Sequence, residues 1–94
     1  GAEVAAPTGP AAAAVSLHEQ RLRAVVAVLK EAGAARVLDL GCGEGRLLRM
    51  LLAERQFTEI LGMDVSSRAL ALAQERLERL PPLQQARVRL VQGS

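Results

Sequence analysis

The chain has 94 residues but no Trp, no Tyr and a single Phe, at position 57. With half of the residues apolar, Ala, Leu and Val must build the core, a composition that suits helices laid on a parallel sheet. Cys42 is the only cysteine. This excludes an internal disulfide and points to a reducing compartment, taken as cytoplasmic. His18 is the only histidine; it has no partner for metal ligation in its neighbourhood and reads as a surface residue at a helix start. No apolar run approaches the length of a membrane span, and no secretory signal pattern is present. Charge of one sign is lacking too. Twelve Lys and Arg against ten Asp and Glu leave +2, too mild to demonstrate nucleic-acid binding. The arginines mostly alternate with carboxylates on expected helices, the mark of a solvated face.

What is present is concentrated in one stretch. Val37-Leu38-Asp39-Leu40 reads as a buried strand, and Gly41-Cys42-Gly43-Glu44-Gly45 as a tight glycine turn opening a helix. A second apolar run, Ile60-Leu61-Gly62-Met63, ends in Asp64. The dinucleotide fingerprint G-x-G-x-x-G needs a third glycine for close helix–strand packing, and that place is held by Arg46. The G-x-G-x-G form preceded by Asp39 suits S-adenosylmethionine better, because this cofactor has no pyrophosphate to seat on a helix N-terminus. Gly41 and Gly43 remove Cβ atoms from the path of the methionine part and permit positive φ. Asp39 puts negative charge near its ammonium. Asp64 is placed to accept hydrogen bonds from the ribose hydroxyls, a use of acids about 20 positions beyond the glycines. Val65 follows, where it could lie against the adenine face. Cys42 within the loop suggests a thiol nucleophile or, more simply, a small side chain filling a turn.

Around this stretch the pattern alternates. Residues 1–15, rich in Ala, Pro and Gly, read as a flexible linker, although Ala11 to Ala14 could extend the next helix backwards. Ser16-Leu17-His18-Glu19 has the form of a capping box, and Leu22, Val25, Val26 and Leu29 give one apolar helix face to about Glu31. A strand is expected over Arg36–Leu40 and a helix over Glu44–Arg55 burying Leu47, Leu48, Leu51 and Leu52. Another strand follows over Glu59–Asp64. A helix capped by Ser66 or Ser67 should run to Leu80, before Pro81-Pro82, and bury Leu70, Ala73, Leu77 and Leu80. Arg87–Gln92 completes a third, half-exposed strand. This order predicts an α/β fold with three parallel strands, right-handed crossovers and flanking helices. A parallel sheet wants helices on both faces, so residues 16–94 read as the front part of a larger domain.

With these elements placed, the chain resembles the amino-terminal half of a Rossmann-like S-adenosylmethionine-dependent methyltransferase. Within that superfamily it is similar to the bacterial Hen family, which methylates the 2′-hydroxyl of the 3′-terminal ribose of RNA. The likeness is carried by Leu17-His18-Glu19-Gln20-Arg21-Leu22, by Val37 through Leu48, by Gln56-Phe57-Thr58-Glu59-Ile60, by Asp64-Val65-Ser66, and by Arg89-Leu90-Val91-Gln92-Gly93-Ser94. The resemblance implies Asp39, Gly41, Gly43 and Asp64 as cofactor contacts, with Ser94 near the adenine edge. It implies a divalent metal, manganese or magnesium, held by a Glu-x-x-His pattern and a further His in the complete domain. No such residues follow Asp64 here, so this stretch alone is expected to be inactive, with no catalytic residue of its own. It also implies an RNA 3′ end as substrate and a kinase-phosphatase-ligase partner in RNA repair, with no membrane association. Two other readings stand beside it: a methyltransferase for a small molecule or protein, and a docking or tethering piece without activity. A dinucleotide oxidoreductase is disfavoured by Arg46.

Overall fold

The computed structural model describes residues 10–93, and the side chains of residues 17–93. The elements run α1 (Pro10–Glu31), β1 (Arg36–Leu40), α2 (Arg46–Leu52), β2 (Glu59–Asp64), α3 (Ser67–Leu77), α4 (Pro82–Gln85) and β3 (Val88–Gln92). All three strands are parallel, in the order β1-β2-β3. The expected α/β architecture of three parallel strands with flanking helices is therefore present.

Two expectations at the amino end are corrected. The first helix begins at Pro10, so Ser16 lies inside the helix and not at its N-cap, and residues 10–15 are helical in place of the expected linker. The Ala run at positions 11–14 carries the strongest helix propensity, and Pro is tolerated in a first turn where its missing N–H has no partner to lose. The rest of the expected linker, residues 1–9, lies outside the described residues. A further element, α4, was not expected: Pro82 at its first position presets the helical φ, and Pro81 precedes it. It buries nothing, which is why apolar periodicity could not reveal it. The helix expected to reach Leu80 ends at Leu77, and α2 is shorter at both ends than the expected Glu44–Arg55.

The period-2 rule assigns the sheet faces. One face carries the rows Val37, Ile60, Val88 and Asp39, Gly62, Leu90. Against it pack Leu48, Leu51, Leu52, Phe57 and Leu77, with Val26 of α1 joining the cluster. Helices α2 and α3 touch the sheet, and α1 packs on α2. The other face carries Leu38, Leu61, Arg89 and Leu40, Met63, Val91. Leu38 and Leu40 there are 53% and 66% exposed, so among the described residues only one face of the sheet is covered. Of the four α1 residues expected to be buried, Val26 is buried, Leu22 and Leu29 are half-buried and Val25 is exposed. Helix α1 rests on α2 along a narrow seam, too narrow to cover Val25.

Two polar side chains hold the helix ends in place. Gln56 Nε2 donates to the carbonyls of Ala34 at 2.9 Å and Lys30 at 3.2 Å, closing the C-terminus of α1. The Arg87 guanidinium donates to Leu52 O at 3.0 Å and, through Nε, to Phe57 O at 2.9 Å, closing the C-terminus of α2. Helix ends leave their last carbonyls without intrahelical partners, and these side chains supply them. Between the two clamps Phe57 is fully buried.

Candidate functional site

The site forms where β1 and β2 end side by side. The parallel register pairs Asp39 with Gly62 and Leu40 with Met63, so the chain leaving β1 passes directly over the end of β2. The amides of Gly41 and Cys42 donate to Met63 O at 2.7 and 3.0 Å, pinning the loop entry. The loop then turns through positive φ at Gly41, Gly43 and Gly45 (74°, 56° and 87°). These are left-handed conformations that side-chain-bearing residues adopt at a cost. A Cβ at Gly43 would meet nothing within 4 Å. The glycine is required there by the bend, and the space above it is free for a ligand.

Asp64 closes the arrangement. Its Oδ2 accepts from the Gly43 amide at 2.9 Å and its Oδ1 from the Ser66 amide at 2.9 Å. Hydrogen bonds from Ser66 first, then Gly43, hold its carboxyl below the ordinary carboxylate value. The acid is thus kept ionised, and each oxygen keeps a lone pair for a further donor. Ser66 is the N-cap of α3, accepting from the Ala69 amide at 3.1 Å, which settles the choice left open between Ser66 and Ser67.

Asp39 lies on the helix-covered face, opposite Gly62. Burial, then the charge of Asp64, pushes its carboxyl above the ordinary value. Cys42 is buried, and burial, then Asp39 and Asp64, pushes its thiol up. A thiol so placed stays protonated, the opposite of an activated nucleophile, so Cys42 acts as a filler of the turn.

A cavity of about 350 Å³ opens at the loop, lined by His18, Leu22, Asp39, Gly41, Cys42, Gly43, Glu44, Arg46 and Leu47. Of the expected site residues, Asp39, Gly41 and Gly43 share this cavity, and Asp64 joins it through the Gly43 amide. Val65 sits beside them on the surface, 66% exposed. Ser94 lies outside the described residues. His18, expected as a plain surface residue, is exposed yet lines the cavity with Arg46. The signal was available: His18 stands four positions before Leu22 on α1, hence on the same side of that helix.

Among the described residues no three His, Cys, Asp or Glu side chains are grouped to hold a metal. The donors for the metal that the resemblance implies are not among them, and no chemical step is assigned to it. No helix of the described residues is long and apolar enough to cross a membrane.

Comparison with known proteins gives this geometry its context. The family model described as "Methyltransferase domain" matches residues 38–94, from the middle of β1 through the glycine loop, Asp64 and β3. The crystal structure of the methyltransferase domain of bacterial CtHen1-C is similar at 50% identity, with a TM-score of 0.78 over 83% of this chain and 41% of that one. The glycopeptide N-methyltransferase MtfA, solved with S-adenosyl-L-homocysteine, is similar at 29% identity and a TM-score of 0.61, over 73% of this chain and 28% of that one. Among curated proteins, the release factor glutamine methyltransferase of Caulobacter vibrioides is 50% identical over 44 residues, 47% of this chain. The chain spans only 15% of that relative and less than half of the solved structures. With the glycine loop, the acid that grips it and the family match in agreement, the chain belongs to the methyltransferase domain family.

Proposed function

We propose that this chain is the cofactor-binding part of an S-adenosylmethionine-dependent enzyme that methylates the 2′-hydroxyl of the 3′-terminal ribose of RNA. The observation that carries the reading is the 50% identity to the CtHen1-C methyltransferase domain across 83% of the chain. Asp39 receives the ammonium of the cofactor, Gly41 and Gly43 make room for its methionine part, and Asp64 accepts from the ribose hydroxyls. Val65 borders the adenine. The 2′-oxygen attacks the sulfonium methyl carbon in line, the carbon–sulfur bond breaks to leave S-adenosylhomocysteine, and the hydroxyl proton passes to solvent. The protein contributes chiefly alignment, worth roughly 7–11 kcal/mol in well-oriented systems. A divalent metal, where bound in the complete domain, would favour the oxyanion at the attacking hydroxyl. An RNA-repair setting beside a kinase-phosphatase-ligase partner belongs to the same proposal.

The test is transfer of a labelled methyl group from S-adenosylmethionine by the full-length protein. RNA with a free 2′,3′-diol should accept the label at its last nucleotide, and the same RNA ending in a 2′-deoxynucleotide should not. Equal labelling of both would sink the ribose reading. A second acceptor class, a glutamine side chain of a protein, is favoured by the 44-residue match to the release factor methyltransferase. Labelling of protein in place of RNA would select it.

A further inference from the structure

The glycine loop is held from two sides. On the β2 side, Met63 O accepts from the Gly41 and Cys42 amides, and Asp64 accepts from the Gly43 amide. Helix α3 holds the loop beyond Gly43. A Cβ at Gly45 would lie 3.3 Å from Ala73 Cβ, so the backbone there rests directly on that helix. Three positions further along α3, Arg76 Nη2 lies 2.8 Å from Glu44 Oε1. Residues three apart share one side of a helix, so a single side of α3 carries both contacts.

Glu44 is the loop residue for which such a hold matters. It stands between Gly43 and Gly45, whose backbones lack the restriction that a Cβ imposes. It also lines the cavity above the loop together with Asp39, whereas Arg76 does not. A Glu44 carboxylate released from Arg76 is free to turn inward and set a second acid beside Asp39. The ion pair is half-exposed, and such pairs contribute little to fold stability, so its leverage is on the placement of the loop. We propose that Arg76 is a positioning residue for cofactor binding. By drawing the Glu44 side chain onto α3, it fixes the latter half of the loop and keeps that acid out of the space the cofactor takes. The proposal rests on the cofactor reading above and adds a residue from outside the cavity that sets the affinity.

The experiment is calorimetric titration of the full-length protein with S-adenosylhomocysteine, beside thermal unfolding without ligand. Arg76→Met removes the guanidinium and keeps an apolar stem. It should weaken binding by about threefold to thirtyfold, within the range of coupling between residues in contact, while the unfolding temperature moves little. Arg76→Lys should regain part of the affinity. Glu44→Ala leaves α3 untouched and should weaken binding by a smaller factor, because it loses the anchor without releasing an acid. Adding Glu44→Ala to Arg76→Met should therefore recover affinity to the level of Glu44→Ala alone, a result that a merely structural arginine would not give. Wild-type affinity in Arg76→Met overturns the proposal, as does wild-type affinity in Glu44→Ala should Arg76→Met fail to fold. Losses that simply add in the double variant overturn it too, making the guanidinium act independently of Glu44. A wild type that does not bind the ligand removes the cofactor reading itself, and the proposal with it.

Discussion

The Oδ2 atom of Asp64 accepts a hydrogen bond from the Gly43 amide at 2.9 Å, joining the end of β2 to the summit of the glycine loop. One contact thus serves both parts of the site, because whatever sets the loop also sets the acid. Asp64→Ala should leave the amides of Gly43 and Ser66 without their acceptor. Affinity for S-adenosylhomocysteine should then fall at least about tenfold, because a carboxylate that accepts from the ligand's hydroxyls is lost. Asp64→Asn, which keeps one acceptor oxygen, should fall between the two. Wild-type affinity in Asp64→Ala by calorimetry would remove the acid from the site.

Gly43 tests the other half of the same contact. Its φ of 56° is left-handed, and a β-branched residue held there is strained by about 1–3 kcal/mol. Gly43→Val should therefore tilt the loop away from Asp64 and abolish cofactor binding. Because a Cβ at this position meets no neighbour, the loss of fold stability should stay within that strain. Thermal unfolding alongside titration separates the two effects.

The two acids should respond to pH in opposite directions. Asp39 titrates above the ordinary 3.8, raised by burial and by Asp64. If it holds the ammonium, cofactor affinity is full above its raised value and declines as pH falls through it, and Asp39→Asn should flatten that decline. For folding without ligand the raised value has the reverse sign. The native state takes up the proton first, so this contribution to stability rises as pH falls from the raised value towards 3.8. Asp64 titrates below 3.8 because amides hold its charged form. Its contribution is present above 3.8 and is lost as pH falls below that through the lowered value. Affinity against pH for wild type and Asp39→Asn checks the first statement, and acid unfolding of Asp64→Asn checks the last.

Gly62 is a glycine for a different reason. A Cβ there would lie 2.8 Å from Leu48 Cδ1, and 3.1 Å from both Cys42 Sγ and Leu90 Cδ2. Leu48 is fully buried, so its methyl can move only by disturbing the core. Gly62→Ala should cost about 1–3 kcal/mol, the usual range for overpacking, read as a lower denaturant midpoint with the slope unchanged.

Arg87 should prove structural. Arg87→Met removes the donors to Leu52 O and Phe57 O and should cost about 1–3 kcal/mol through the carbonyls left unpaired. Arg87→Lys should rescue little, because one ammonium cannot reproduce a planar fork. Melting temperatures of the two variants decide this. Apolar periodicity placed Arg87 at the start of the third strand and assigned it no role. Its role became visible only when the end of α2 and the start of β3 were brought together.

The local signals for the strands and for the buried face of α2 were strong. Alternation of apolar runs with glycine and proline announced three strands, and the spacing of Leu48, Leu51 and Leu52 announced the buried face of α2. The loop glycines and the terminal acid were legible because each answers a short-range demand: a bend that needs positive φ, or a strand end that needs a charge. Element α4 escaped because it buries nothing, and the true start of α1 because Ala and Pro tracts suit a linker and a helix alike.

By itself the sequence determined which residues bear chemistry and in which elements they stand, since periodicity and turn geometry act over a few neighbouring positions. Only the tertiary structure decided their company. The parallel register laid Asp64 against Gly43 and Asp39 against Gly62, and the seating of α1 on α2 brought His18 over the loop beside Arg46. The physical reason is that these meetings depend on the packing of a shared core, whose contacts join residues far apart in the chain.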